Sequence, residues 1–109
     1  MTGGPETGDE LLRALSALAN QHRLRIVAAL VGGRNYVSQL ARDLGMGRPV
    51  LHMHLRRLEA AGLIVGSLEL SRDGKAMKYY EAAPFALQIT PESVRRAVRT
   101  LTVSEGEQR

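Results

Sequence analysis

Apolar residues along this chain fall into helical spacing, then into a β-prone stretch, then back into helical spacing. Leu11, Leu12, Leu15 and Leu18 predict a first amphipathic helix over residues 9–19. Asn20 suits the N-cap of a second helix, with Leu24, Ile26, Val27, Leu30 and Val31 as its buried face and Gly32-Gly33 as its stop. Ser38 can cap a short third helix, with Leu40, Ala41 and Leu44 facing inward and Gly45 ending it. Gly47 opens a fourth helix, 48–61, whose inward face is Leu51, Leu55 and Leu58. Then "LIVGSLEL" (63–70) and "MKYYEA" (77–82) read as strands, and Asp73-Gly74 between them is a hairpin turn signal. One of Tyr79 and Tyr80 should pack on the core, because neighbours in a strand face opposite ways. Pro84 interrupts the chain, and Thr90-Pro91-Glu92 starts a last helix with Val94, Ala97, Val98 and Leu101 as its apolar stripe.

The fold expected is therefore mainly α with a small β-hairpin wing, in the order α-α-α-α-β-β-α. The tight turn Gly45-Met46-Gly47 joins the third and fourth helices, which makes a winged helix-turn-helix. Residues 1–8 are expected to be a disordered lead and 104–109 a flexible tail, around one domain at 9–103.

The fourth helix carries the chemistry. At about 100° per residue from Leu51, the residues Pro49, His52, Met53, Arg56 and Ala60 lie on the opposite face, flanked by Val50 and Arg57. That face mixes basic, imidazole, thioether and small groups, where an ordinary solvated helix would carry Glu and Lys. A helix of this kind fits the major groove of DNA, with its N-terminal residues at the base edges. Arg48 is placed to donate two hydrogen bonds to guanine and His52 to make one, with Pro49 in the first turn and Val50 and Met53 against thymine methyls. Arg56 and Arg57, one turn later, suit phosphates. Arg72, Lys75 and Lys78 cluster at or near the hairpin tip, where they would meet the backbone or the minor groove.

Two histidines one residue apart invite a metal reading, but geometry opposes it. His52 and His54 lie about 200° apart round the helix, whereas helical zinc pairs need a spacing of three or four. His54 instead flanks the core and should pack on the second or third helix. A catalytic pair fails for the same reason, and no nucleophile–base pair, Gly-rich phosphate loop or carboxylate pair points to an enzyme.

Composition sharpens this. The 109 residues are 44% hydrophobic but only 4% aromatic, so Leu, Val, Ile and Ala must fill the core, which favours helices. With no cysteine, thiolate metal sites and disulfides are excluded, and a cytoplasmic setting is expected. The acidic start "MTGGPETGDE" is unlike a signal peptide, and no apolar run approaches the ~20 residues of a membrane span. The net charge is +4, and its excess lies in residues 34–78, with eight basic residues against four acidic ones, while both flanks cancel. A basic block between neutral segments suits a polyanion.

The pieces "LSALANQHRLRIVAAL", "SQLARDLGMGRPVLHMHLRRLEAAGLI" and "DGKAMKYYEA", in this order, resemble the ArsR/SmtB-type winged helix-turn-helix regulators over Leu12 to Ala82. The resemblance implies a homodimer formed by the first and last helices, a role that Leu11, Leu12, Leu15, Val94, Val98 and Leu101 would serve. The alternative is that both helices simply cap one core. Metal-sensing members of that family carry cysteines at the third helix or a His and acidic set on the last. Here those places hold "NYVSQL" and "PESVRRAVRTL", so no metal or other cofactor is expected. The start of the reading helix, "GRPV", lacks the Ser/Thr/Gln-rich character common in the family.

The reading is a sequence-specific regulator of transcription, a dimeric repressor on a palindromic operator of double-stranded DNA. Its partners are DNA and a second copy of itself, with no membrane; any small-molecule effector is unknown. The competing reading is a winged-helix module for protein contacts, which the basic outward face opposes.

Overall fold

The computed structural model describes residues 4–103. A Thr-x-x-Glu capping box starts helix α1, Gly8–Leu18: the Thr7 hydroxyl accepts from the Glu10 N–H, and the Glu10 carboxylate accepts from the Thr7 and Glu6 N–H groups. The expected lead, 1–8, therefore overlaps the helix at Gly8. Its residues 1–3, like the expected tail 104–109, lie outside the described residues.

Helix α1 buries Ala14 and Ala17, while Leu12 and Leu15 face out. Helix α2, Gln21–Val31, is capped by the Asn20 side chain, which accepts from the His22 and Arg23 N–H groups. Only Ile26 and Leu30 of its expected inward face are fully buried, and Val27 packs beside them. Leu24 and Val31 are exposed. The reason is angular: Leu24 lies about 200° round from Ile26, so one face cannot hold both.

The expected order gains a short strand, β1, at Asn35–Tyr36, which pairs with the later strand β3. Its extended backbone places Tyr36 at the N-cap of α3, Val37–Leu44, so Ser38 falls inside the first turn and is not the cap. Helix α3 ends at Gly45, whose φ of 61° needs the left-handed freedom of glycine. After that turn, α4 runs over Arg48–Ala60, with Pro49 in its first turn, where a missing N–H leaves no intrahelical bond unmade. Strands β2 (Ile64–Leu70) and β3 (Ala76–Ala82) form the antiparallel wing, and the sheet order is β1-β3-β2. The core lies where α2, α3 and α4 meet the base of this sheet: Ile26, Leu30, Leu40, Leu51, Leu55, Leu58, Leu63 and Ile64 are sealed, and Tyr80 closes it.

Helix α5, Pro91–Val98, has its own capping box between Thr90 and Ser93 and no buried residue. Leu101 lies beyond its end, not on its stripe, because the chain tightens there into the bonds Thr100 N–H to Ala97 and Leu101 N–H to Val98. The chain then ties back to the start of α1. The Gly8 N–H donates to Thr100 Oγ1 at 2.6 Å, and the Asp9 carboxylate accepts from the N–H and hydroxyl of Thr102. Gly8 is needed for this approach, since a Cβ there would run into the Ala97 carbonyl. Among the described residues no helix is long and apolar enough to cross a membrane.

Gly8→Ala should therefore force α1 and α5 apart and lower stability by about 1–3 kcal/mol, as overpacking does. Urea unfolding measures it, and an unchanged midpoint would show that the two helices separate freely.

Candidate nucleic-acid interface

The three leucines that bury α4 decide what it presents. Leu51, Leu55 and Leu58 have no exposed surface. On the remaining faces Arg48, Pro49, Val50, His52, Met53, Arg56 and Arg57 are all exposed, so the expected base-contacting and phosphate-contacting residues share one helix surface. The helix's acid, Glu59, lies toward the wing: its Oε2 is 3.1 Å from where a Gly66 Cβ would stand. Ion pairs among the described residues are Arg34–Glu69 and Arg95–Glu92, so none neutralises Arg48, Arg56, Arg57, Arg72, Lys75 or Lys78.

The histidines part company as their spacing requires. His52 is exposed, whereas His54 is buried against α2. The Arg23 Nε–H donates to His54 Nδ1 at 3.2 Å, and the His22 ring lies 5.7 Å away, centroid to centroid. A nitrogen that accepts from a guanidinium is unprotonated, so this geometry holds His54 neutral, with its proton on Nε2. Burial pushes its imidazole below the ordinary value, with Arg23, His22 and Arg57 adding charge repulsion. Among the described residues no group of His, Cys, Asp and Glu could hold a metal ion. Arg23 is a residue that sequence reasoning overlooked. Its signal was a charge three and seven residues before the buried Ile26 and Leu30, on the core side of α2, where a cation requires a partner.

Arg72 and Lys75 sit in the wing turn. Ser71 shapes it, donating its hydroxyl to Asp73 and accepting from the Lys75 N–H. The Ser71 hydroxyl, and after it the Lys75 backbone N–H, hold the Asp73 carboxyl below its usual range. Lys78 is set back from the tip, opposite Leu68. Its stem crosses Gly66 and its ammonium lies 5.6 Å from the Tyr80 ring. Tyr80 is the buried member of the tyrosine pair, and its ring also lies across Gly66, so a Cβ there would stand 2.9 Å from Tyr80 Cε1. Tyr79, on the other face, packs edge-on to Tyr36 and carries the Arg34 guanidinium 4.5 Å above its ring, while Arg34 pairs with Glu69. Arg34, next to β1, thus reaches toward the tip end of β2. Its pairing partner is far away in sequence, so no local pattern announces it.

Of the residues expected to meet a second copy, Leu12 is 58% and Val98 57% exposed, and Leu15 and Val94 are also open. Leu11 and Leu101 are partly covered, Leu101 lying against Gly8. Leu12 and Leu15 follow Gly8 along α1 by one and two turns, so they continue the face that meets α5.

The model of the arsR family of bacterial regulatory proteins matches residues 20–65. An uncharacterized HTH-type transcriptional regulator of Methanocaldococcus jannaschii is 31% identical over 87 residues, which is 80% of this chain and 90% of that protein. The chain belongs to the ArsR family. It is a winged helix-turn-helix transcriptional regulator and not an enzyme. The HTH-type regulator CmtR of Mycobacterium tuberculosis is 39% identical over 69 residues, 63% of this chain and 55% of that protein. Among solved structures, the homodimeric winged helix-turn-helix DNA-binding domain of a possible ArsR-family regulator from Mycobacterium bovis is similar at a TM-score of 0.62 and 30% identity, covering 81% of this chain and 70% of that one. Reduced HlyU of Vibrio cholerae shares the fold at a TM-score of 0.59 and 21% identity, covering 84% of each chain.

This ArsR-family member should be sensitive to acid through His54. Its folded-state pKa is lowered, so the unfolded chain takes up the proton first. Stability from this source is complete above the unfolded histidine pKa of ~6.5 and falls as pH drops below it toward the folded value. Urea midpoints at pH 7.5 and 5.5 should drop further for the wild type than for His54→Gln, and equal drops would contradict it.

Proposed function

We propose that this regulator is a dimeric repressor that binds a palindromic operator with α4 in the major groove and the wing on the flanking backbone. The observation that carries this reading is the surface of α4. Three sealed leucines lie on one side, and an exposed face free of acids lies on the other, beside cations without ion-pair partners among the described residues. Arg48 donates to guanine, His52 and Met53 meet neighbouring base edges, and Pro49 and Val50 make apolar contact in the first turn. Arg56 and Arg57 meet phosphates, as do Arg72 and Lys75 from the wing, while Lys78 adds charge from farther back.

Two copies associate through α1 and α5. The support is the open apolar surface at Leu12, Leu15, Val94 and Val98 on helices already docked to each other. Two reading helices related by a two-fold axis then face the halves of a palindrome. Residues 9–103 act as one domain, in the cytoplasm, and repression follows from occupying the operator.

Binding should weaken steeply with salt as phosphate contacts release counterions. Arg48→Ala should cost about 1–3 kcal/mol on the preferred duplex and relax selectivity at one base pair, whereas Lys75→Ala should weaken all duplexes alike. Duplex selection from a random pool, followed by titration at two salt concentrations, tests both. Salt-independent binding would overturn the proposal. Val98→Glu should convert the dimer to monomer in sedimentation, and an unchanged mass would place the interface elsewhere.

A further inference from the structure

Arg23 joins three helices. Its N–H caps on the Asn20 side chain at the start of α2, at 3.2 Å. Its Nη1 donates at 3.4 Å to the carbonyl of Ala17, in the last turn of α1, where a cation also meets the negative end of the helix. Its Nε donates to His54 Nδ1 on α4. His54 is the buried polar residue of the core, and its position on α4 lies between the sealed face and the exposed one. Arg23 therefore connects α1, which carries the open apolar surface, to the helix that presents Arg48 and His52.

We infer that Arg23 is a positioning residue for DNA recognition, holding α4 in place through neutral His54, and that protonation of His54 releases the hold. This rests on the reading of α4 as the DNA-contacting helix. The chemistry is that of one nitrogen. Nδ1 accepts only while it has no proton; once protonated it presents a second donor to a donor. The new imidazolium also meets like charge from Arg23, His22 and Arg57. Arg23 and His22 lie on α2 and Arg57 on α4, and from α1 the contact receives only the Ala17 carbonyl, which holds Arg23. A loosened α4 misplaces Arg48 and His52 together, and one misplaced reading helix weakens the selected sequence more than random DNA.

The direction of the effect separates this device from ordinary surface titration. Acid adds charge to exposed imidazoles on a DNA-binding face and so tightens phosphate contacts. Release of His54 acts in the opposite sense.

The probe is the duplex that the protein itself selects from a random-sequence pool, with a scrambled duplex as reference. Lowering the pH from 7.5 through the range over which the His54 imidazole titrates, wild-type affinity for the selected duplex should fall about tenfold relative to the scrambled one, the size of one charge-assisted hydrogen bond. His54→Asn, which keeps an acceptor near Nδ1 but cannot take up the proton, should hold its selectivity across that range. If His54→Asn does not fold, Arg23→Leu serves, with reduced selectivity already at pH 7.5 and no further loss in acid. A wild-type ratio that stays level or rises in acid overturns the proposal, as does a loss as steep in either variant. A second arm needs no DNA. In 15N spectra the Arg23 Nε–H, sheltered by its bond, should broaden as the His54 imidazole titrates. Its persistence through that titration overturns the release. If no duplex is selected, the DNA reading falls and takes the affinity half of the proposal with it, while the Arg23 signal still decides the contact half.

Discussion

The burial of one face of α4 is the constraint from which the rest of this molecule follows. Leu51, Leu55 and Leu58 are sealed against the core, and truncating any one of them would cost about 2–5 kcal/mol. A helix held by three such residues cannot rotate without exposing them, so its other face is determined as well. That outward face holds Arg48, Pro49, Val50, His52, Met53 and Arg56. The three sealed leucines thus orient residues that stand exposed on the other side.

The wing is held by different physics. It has little core of its own beyond Ile64 and Tyr80, and the apolar Leu68 and Leu70 stand open near its tip. Side chains lie flat across its sheet on both faces. On one face the Tyr80 ring and the Lys78 stem cover Gly66, filling the gap left by a residue without a side chain. On the other face Tyr79 packs on Tyr36 under Arg34, which in turn pairs with Glu69. The two-residue strand β1 extends the sheet at its base.

Charge and burial compete at the contact of Arg23 with His54 beneath α4. Among the other described residues the cations stand in solvent, where a charge is cheap to hold and free to meet a polyanion. Beneath α4 a guanidinium is bound between a helix-end carbonyl and an imidazole nitrogen, and burial keeps that imidazole neutral. The terminal helices make the opposite arrangement. They dock to each other through Gly8, Thr100 and the Asp9–Thr102 pair, yet leave Leu12 and Val98 open.

The amino-acid sequence by itself determined what depends on neighbours within about one turn. Capping at Asn20 and Thr90, the stop at Gly45, the hairpin around Asp73-Gly74 and the inward leucines of α4 are local, and all stand in the fold. The outward face of α4 followed from those leucines, which is why the candidate interface was legible, and why the His52–His54 pair could be split by angle alone. Tertiary structure decided what depends on distant partners. Two apolar faces compete on α2, and only packing selects Ile26 and Leu30 over Leu24 and Val31. The leucines of α1 gave an apolar stripe that fits a partner or a core, and packing seals Ala14 and Ala17 beside it while Leu12 and Leu15 stay open, since small residues allow the closest backbones. Strand β1 exists only because β3 offers it an edge, and Arg34 finds Glu69 only once the wing has folded back. Arg23 meets His54 across 31 positions of chain. Periodicity shows that such a cation lies on a core side, and only the assembled core shows which atom accepts its proton.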